Sequence, residues 1–170
     1  SFDSKFDRVL NRNEGWFSDL EELGRDLFFI EDFQDVEHPG CSHCHVALDL
    51  TDHSFRNNGI SDVDDLADFP DAGLGGVTGN YLDNGKFRVP TLRNIELTAP
   101  YMHDGRFATL EEVIDHYSSG GHGADNEELN VDVNIQAFTL TEEKKQALVA
   151  FLKTLTDTSF INNPELSSPF

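Results

Sequence analysis

The only two cysteines of the chain lie three apart and are followed at once by a histidine: Cys41-Ser-His-Cys44-His45. No other feature restricts the fold so much, because a pair this close cannot staple distant parts of the chain together. Four chemistries use such a pair. A disulfide redox motif expects a strand before it and a helix after it, and has no use for the trailing histidine. A structural zinc site needs two further ligands at characteristic spacing, and the sequence has no second pair. A buried disulfide across two intervening residues is strained and rare. The fourth is Cys-x-x-Cys-His, the attachment sequence for haem c.

The spacing suits that fourth chemistry. Two thiols must reach the two vinyl groups on one edge of the porphyrin, and the next residue must turn its imidazole under the iron. A short helical turn does both. Cys41 and Cys44 are therefore expected to hold one haem c covalently, with His45 as the ligand on one face. His43 occupies one of the two variable positions and is expected to face solvent. Thioether formation needs reduced thiols and assembly outside the bacterial cytoplasm, so the expected location is periplasmic or otherwise exported. The N-terminal Ser-Phe-Asp-Ser-Lys lacks a charged-then-apolar signal pattern, so any targeting peptide is expected to have been removed.

Charge narrows the partners. The formal net charge of -20 disfavours nucleic acid and anionic lipid and steers basic or metal-rich partners, strongly at low salt. The acids are scattered rather than blocked, which reads as a solvated coat more than a docking patch. No stretch approaches the roughly 20 apolar residues of a membrane span, so no membrane insertion is expected.

A length of 170 residues fits a single cytochrome c-type domain over 1–170. Residues 1–14 read as a polar leading segment. Gly15 to Ile30 carries apolar residues at helical period, including Trp16, read as core, and Ser18 ahead of Glu21 and Glu22 marks a helix start. Phe33 to Gly40 reads as a loop into the cysteine pair. Thr51 to Gly85, rich in Asp, Gly and Asn, is long for a loop and suggests a functional excursion. Its Asp62, Asp64, Asp65, Asp68 and Asp71 lack EF-hand spacing and read as a solvated loop. Lys86 to Phe107 is punctuated by Pro90, Pro100 and Gly105, against one continuous helix. Thr109 with Glu112 forms a capping box before Leu110, Val113, Ile114 and Tyr117, and a glycine run from Ser118 to Gly123 ends that helix. Asp125 to Phe138 is polar loop. Thr141 opens a further helix with Leu148, Val149, Leu152 and Leu155 on one face, and the tail 158–170 is expected to lie along the surface. No strand pattern longer than a few residues appears, and no repeat is visible. The expected class is all-α, a cytochrome c-like domain with long loops around one covalent haem c.

On the far face of the iron the residues offer Met102, His103, His116 and Tyr117. Met102 is the only methionine and stands at a distance from His45 typical of small cytochromes c. A thioether raises the potential by stabilising ferrous iron; a phenolate lowers it by stabilising ferric iron. Arg93 and Arg106 are candidates for the haem propionates, because the guanidinium fork matches a carboxylate.

The run Gly85-Lys-Phe-Arg-Val-Pro-Thr-Leu-Arg-Asn-Ile-Glu-Leu-Thr-Ala-Pro-Tyr-Met-His-Asp-Gly-Arg-Phe-Ala-Thr109, with the helix after it, resembles bacterial di-haem cytochrome c peroxidases, a superfamily that includes the methylamine-utilisation enzyme MauG. The resemblance extends from about Phe2 to Leu155 and is most specific from Phe87 to Tyr117. It implies the C-terminal haem domain, usually the electron-transfer centre; the N-terminal haem, where peroxide binds, has no counterpart here. The chain is then a fragment of a larger protein or a single-haem descendant. The resemblance also implies that Tyr117 matches the MauG-like ligand position, where the peroxidase branch has Met. It implies backbone carbonyls of Thr98 and Pro100 at a calcium site between two halves, incomplete without the other half, His103 near the haem edge, and Trp16 as a relay if not core. Three functions follow as expectations. The first is electron transfer with a redox partner protein or a missing N-terminal haem domain. The second is peroxide-dependent oxidation with His103 or His116 as distal base. The third is a haem-based sensor.

Overall fold

The computed structural model describes residues 2–29, 39–46 and 48–166. Within them the chain is mostly helical: α1 (Lys5–Arg12), α2 (Asp19–Phe29), α3 (Leu74–Thr78), α4 (Leu110–Ser118), α5 (Glu142–Lys153) and α6 (Thr158–Ile161). Two short strands, β1 (Phe55–Arg56) and β2 (Phe87–Arg88), pair antiparallel, Phe55 opposite Arg88 and Arg56 opposite Phe87. Single 3-10 turns fill the intervals, one of them over Cys41–His43. The expected loop from Phe33 to Gly40 falls largely outside the described residues.

The apolar faces seen in the sequence meet where α2 crosses α5. Leu27 and Phe28 pack against Ala147, Leu148, Phe151 and Leu152. The helices approach closely because Gly24 has no side chain; a Cβ there would stand 1.9 Å from the Ala147 carbonyl oxygen. Phe151 is the hub, with ring centroids 5.1 Å from Phe28 and 5.8 Å from Phe6. Leu110 and Ile114 of α4 join the same core. Phe6, Phe17, Phe28 and Phe151 are buried in this core among aliphatic side chains.

The leading segment folds as α1, capped by Ser4, whose side chain accepts from the Asp7 amide while Asp7 accepts from the Ser4 amide. Phe6 enters the core and its amide donates to the Thr154 carbonyl at 3.1 Å. Trp16 is not core: it is 83 % exposed and Phe17 is buried instead. The reason is local. The helix begins at Asp19, so Trp16 lies on the connecting segment and never joins the apolar face that the periodicity assigned to it.

The β1–β2 ladder clasps the long excursion at its base, returning the chain beside its starting point. Tyr101 and Phe107 then pair across an isolated antiparallel bridge, the Tyr101 amide donating to Phe107 at 2.7 Å. The bridge closes a loop in which Met102 adopts φ +71°, a conformation that favours glycine. Thr109 and Glu112 form the expected capping box at the start of α4. Thr141 caps α5 by accepting from Lys144.

Candidate haem-binding site

The cysteine pair sits in a turn built by backbone hydrogen bonds. Gly40, at φ +59°, opens the turn, His43 N–H donates to Gly40, and the amides of Cys44 and His45 both donate to the Cys41 carbonyl, at 3.3 and 3.0 Å. Both cysteines are free. Burial pushes the Cys41 thiol up to about 12. Burial likewise raises Cys44 to about 11, against the opposing charge of Arg56. Neutral thiols of this kind are poor thiolate ligands and poor redox nucleophiles. His43 corrects its expectation: it is half-buried, and its Nδ1 donates to the Gly40 carbonyl at 2.8 Å. The turn folds the ring back on its own backbone rather than out to solvent.

His45 Nδ1 lies 3.0 Å from the Leu50 carbonyl. A carbonyl only accepts, so Nδ1 carries a proton and donates there. Burial lowers the imidazole's pKa, opposed by hydrogen bonds to the Leu50 and Pro90 carbonyls. The following loop is fastened to the motif, with Asp52 N–H donating to the Cys44 carbonyl at 2.9 Å and Thr51 Oγ1 to Val89 at 2.7 Å. Arg56 bridges Asp52 and Asp132 beside Cys44.

The candidates for the opposite face converge on one amide. Asn58 Nδ2 donates to Met102 Sδ at 3.4 Å and to the Tyr117 hydroxyl oxygen at 3.3 Å. Tyr117 stands on the regular helix α4; burial raises its pKa, as does the proximity of Cys44 and Cys41, and the Asn58 bond lowers it. Among the described residues no acceptor takes its hydroxyl proton. His116, by contrast, is buried with Nε2 donating to the Asn58 carbonyl at 3.0 Å. His103 is exposed and stacked on Phe87, ring centroids 3.7 Å apart.

Free neutral thiols, a histidine with one nitrogen fixed as donor, and a phenol and a thioether sharing the Asn58 amide form a donor set that fits covalent haem c. The arginines have other partners. Arg93 is expected at a propionate, but its two terminal nitrogens bind the two carboxylate oxygens of buried Asp7, each at 2.9 Å, and its Nε donates to the Leu48 carbonyl at 2.8 Å. The docking of α1 is what brings Asp7 there. Arg106 is exposed, held by Asp104 and the Ile60 carbonyl. Among the described residues no three His, Cys, Asp or Glu side chains gather to hold a metal ion. Thr98 and Pro100 are exposed, and so are Asp62, Asp64, Asp65, Asp68 and Asp71.

Asn58 and Asp7 escaped the sequence reading. Asn58 belongs to Asn57-Asn58-Gly59, which reads as turn chemistry, and an amide is not a ligand type. Asp7 is one acid among many; its place in the capping box with Ser4 was the available signal.

No family model matches the chain. Relatives do. Cytochrome c551 peroxidase of Nitrosomonas europaea is 37 % identical over 153 residues, covering 90 % of this chain and 39 % of that protein. Methylamine utilization protein MauG of Methylorubrum extorquens is 34 % identical over 116 residues, covering 68 % of this chain and 31 % of that protein. A solved MauG-like protein associated with microbial copper homeostasis superposes with a TM-score of 0.85 at 42 % identity, covering 99 % of this chain and 52 % of that one. The chain thus spans less than half the length of these curated relatives and about half of that solved structure. Among the described residues no helix is long and apolar enough to cross a membrane.

Proposed function

Because the chain belongs to the di-haem cytochrome c peroxidase and MauG superfamily, we propose that it is a haem c domain for electron transfer, related to the C-terminal half of those proteins. Cys41 and Cys44 hold the haem, His45 is the proximal ligand and Tyr117 the sixth, with Met102 its competitor. When bound, haem supplies a one-electron couple that the protein tunes through its axial ligands and their hydrogen bonds. The Leu50 carbonyl fixes the His45 ring and strengthens it as a ligand.

The observation that carries the reading is the convergence of the Tyr117 hydroxyl and Met102 Sδ on the Asn58 amide. Two side chains able to ligate iron share that amide, whereas both histidines that a peroxide reaction could use as distal base have other partners, His116 the Asn58 carbonyl and His103 the Phe87 ring. A filled sixth position suits electron transfer to a redox partner protein or to a second haem domain. Covalent haem attachment also supports an exported, periplasmic location. Peroxide-dependent oxidation is the second reading, favoured by the names of the relatives, and needs a sixth ligand that leaves.

The test is the absorption and electron paramagnetic resonance spectrum of the oxidised holoprotein beside Tyr117→Phe. The expected result is a low-spin phenolate-type spectrum that turns high-spin in the variant. A long-wavelength thioether-to-iron charge-transfer band, unchanged by the substitution, identifies Met102 and overturns Tyr117. Rapid carbon monoxide binding to the reduced form favours the catalytic or sensing readings over electron transfer.

A further inference from the structure

Asn58 is held more firmly than a loop residue needs to be. On one side Asn57 Nδ2 donates to the Leu129 carbonyl at 2.8 Å, and Asp132 N–H donates to the Asn57 carbonyl at 2.9 Å. On the other, Gly59 sits at φ +65°, its amide donating to Asn57 Oδ1 at 3.0 Å and its carbonyl accepting from His122 N–H at 2.7 Å. A Cβ on Gly59 would stand 2.9 Å from the His122 carbonyl oxygen, so glycine is required by space as well as by backbone conformation. Buried His116, one residue before Tyr117 on α4, closes the clamp on the Asn58 carbonyl. Three consecutive residues are thereby tied to three other segments, and the Asn58 carboxamide is left with its NH2 group between the only methionine and Tyr117.

We propose that Asn58 is a positioning residue that selects Tyr117 over Met102 as the sixth ligand of the haem. The inference rests on the reading that Cys41, Cys44 and His45 carry haem c with Tyr117 opposite. The chemistry of the two acceptors gives the direction. A thioether sulfur is a weak acceptor, and an N–H donated to it gains little. An N–H donated to a phenolic oxygen that carries negative charge is charge-assisted and about twice as strong as a neutral bond. One amide serving both groups therefore stabilises the arrangement in which Tyr117 ligates, and it meanwhile occupies the sulfur that competes. His116 acts through this residue: its ring fixes the backbone from which the amide is aimed.

Imidazole added to the oxidised holoprotein competes with the protein's own sixth ligand, so its apparent affinity reports how strongly that ligand is held. Asn58→Leu removes the donor while keeping the side chain's branching at Cγ. Loss of one hydrogen bond to a charged group raises imidazole affinity about tenfold or more. The same substitution in a Tyr117→Phe background gives no gain, because the bond to the phenolic oxygen is already gone and the remaining one, to the Met102 sulfur, holds no competing ligand in place; this cycle separates positioning from general loosening of the pocket. If Asn58→Leu fails to retain haem, Asn58→Ser, which withdraws the amide from both acceptors, takes its place. A gain confined to the Tyr117 background supports the proposal. A gain of equal size in both backgrounds, or in neither, overturns it. Wild-type protein that retains no haem, or shows a thioether spectrum, instead refutes the underlying reading, so the two failures are distinguishable.

Discussion

Replacing Asp7 by asparagine removes a charge paired with buried Arg93 and leaves the guanidinium in place. The carboxylate accepts from both terminal nitrogens of Arg93 at 2.9 Å, and from the amide and hydroxyl of Ser4 at 3.0 and 2.7 Å. The side chains of Asp7 and Arg93 are only 2 % and 6 % exposed, so water cannot substitute for the lost partner. Removing one member of a buried pair costs about 3–5 kcal/mol. At roughly 2–4 °C per kcal/mol for a chain of this size, Asp7→Asn should melt about 6–20 °C below wild type. Urea denaturation of the haem-loaded protein followed by far-ultraviolet circular dichroism measures the loss directly. The double variant Asp7→Leu/Arg93→Met should recover most of it, since an apolar pair of similar volume leaves no orphan charge. Burial pushes the Asp7 carboxyl upward, but bonds from Arg93 and Ser4 outweigh it and hold the group below the ordinary 3.8. A carboxyl depressed in the folded state stabilises above its unfolded value and loses that contribution as pH falls through the folded one. Asp7→Asn should therefore also lose part of wild type's acid sensitivity. A loss below about 1 kcal/mol refutes this account, because it means that Arg93 finds its counter-charge elsewhere, as at a haem propionate.

Gly24→Ala should separate α2 from α5, since the new Cβ would stand 1.9 Å from the Ala147 carbonyl oxygen; overpacking of this kind costs about 1–3 kcal/mol, read as a lower urea midpoint with the slope retained. Asp52 is affected first by burial, which raises its pKa, and then by Ser54 and Arg56, which bring it down to about 2. Its contribution is present above the ordinary 3.8 and is lost as pH falls toward 2, so Arg56→Gln should flatten the dependence of stability on pH across that interval. An unchanged acid profile in a stability titration would remove Arg56 from the account.

The helices that frame the domain were legible because their signals are local. The 3.6-residue period of α5, the Thr109–Glu112 capping box of α4 and the Ser18 start of α2 depend on residues within a few positions of one another. The turn that carries Cys41, Cys44 and His45 depends on local contacts too, its backbone bonds running between neighbouring residues. Trp16 was misread because periodicity does not reveal where a helix begins, and a residue three positions early leaves the apolar face. The β1–β2 ladder was invisible because two residues are too few to show alternation. Arg93 was a candidate for a propionate by its chemistry; its ion pair with Asp7 spans 86 residues, to a helix whose docking no local pattern announces. Asn58 reaches Met102 and Tyr117 across 44 and 59 residues, and only the clamp from Asn57, Gly59 and His116 brings it there. Side-chain chemistry can be read from a sequence; which side chains share a partner depends on tertiary contacts.

The central claim is that Cys41 and Cys44 hold haem c covalently with His45 below the iron. The direct measurement is the mass of the chain after export in a host with haem c assembly and denaturation in acid, with wild type beside Cys41→Ser/Cys44→Ser. The account predicts one haem retained per wild-type chain and none on the variant. A wild-type chain that denatures free of haem, with both thiols open to alkylation, would contradict it.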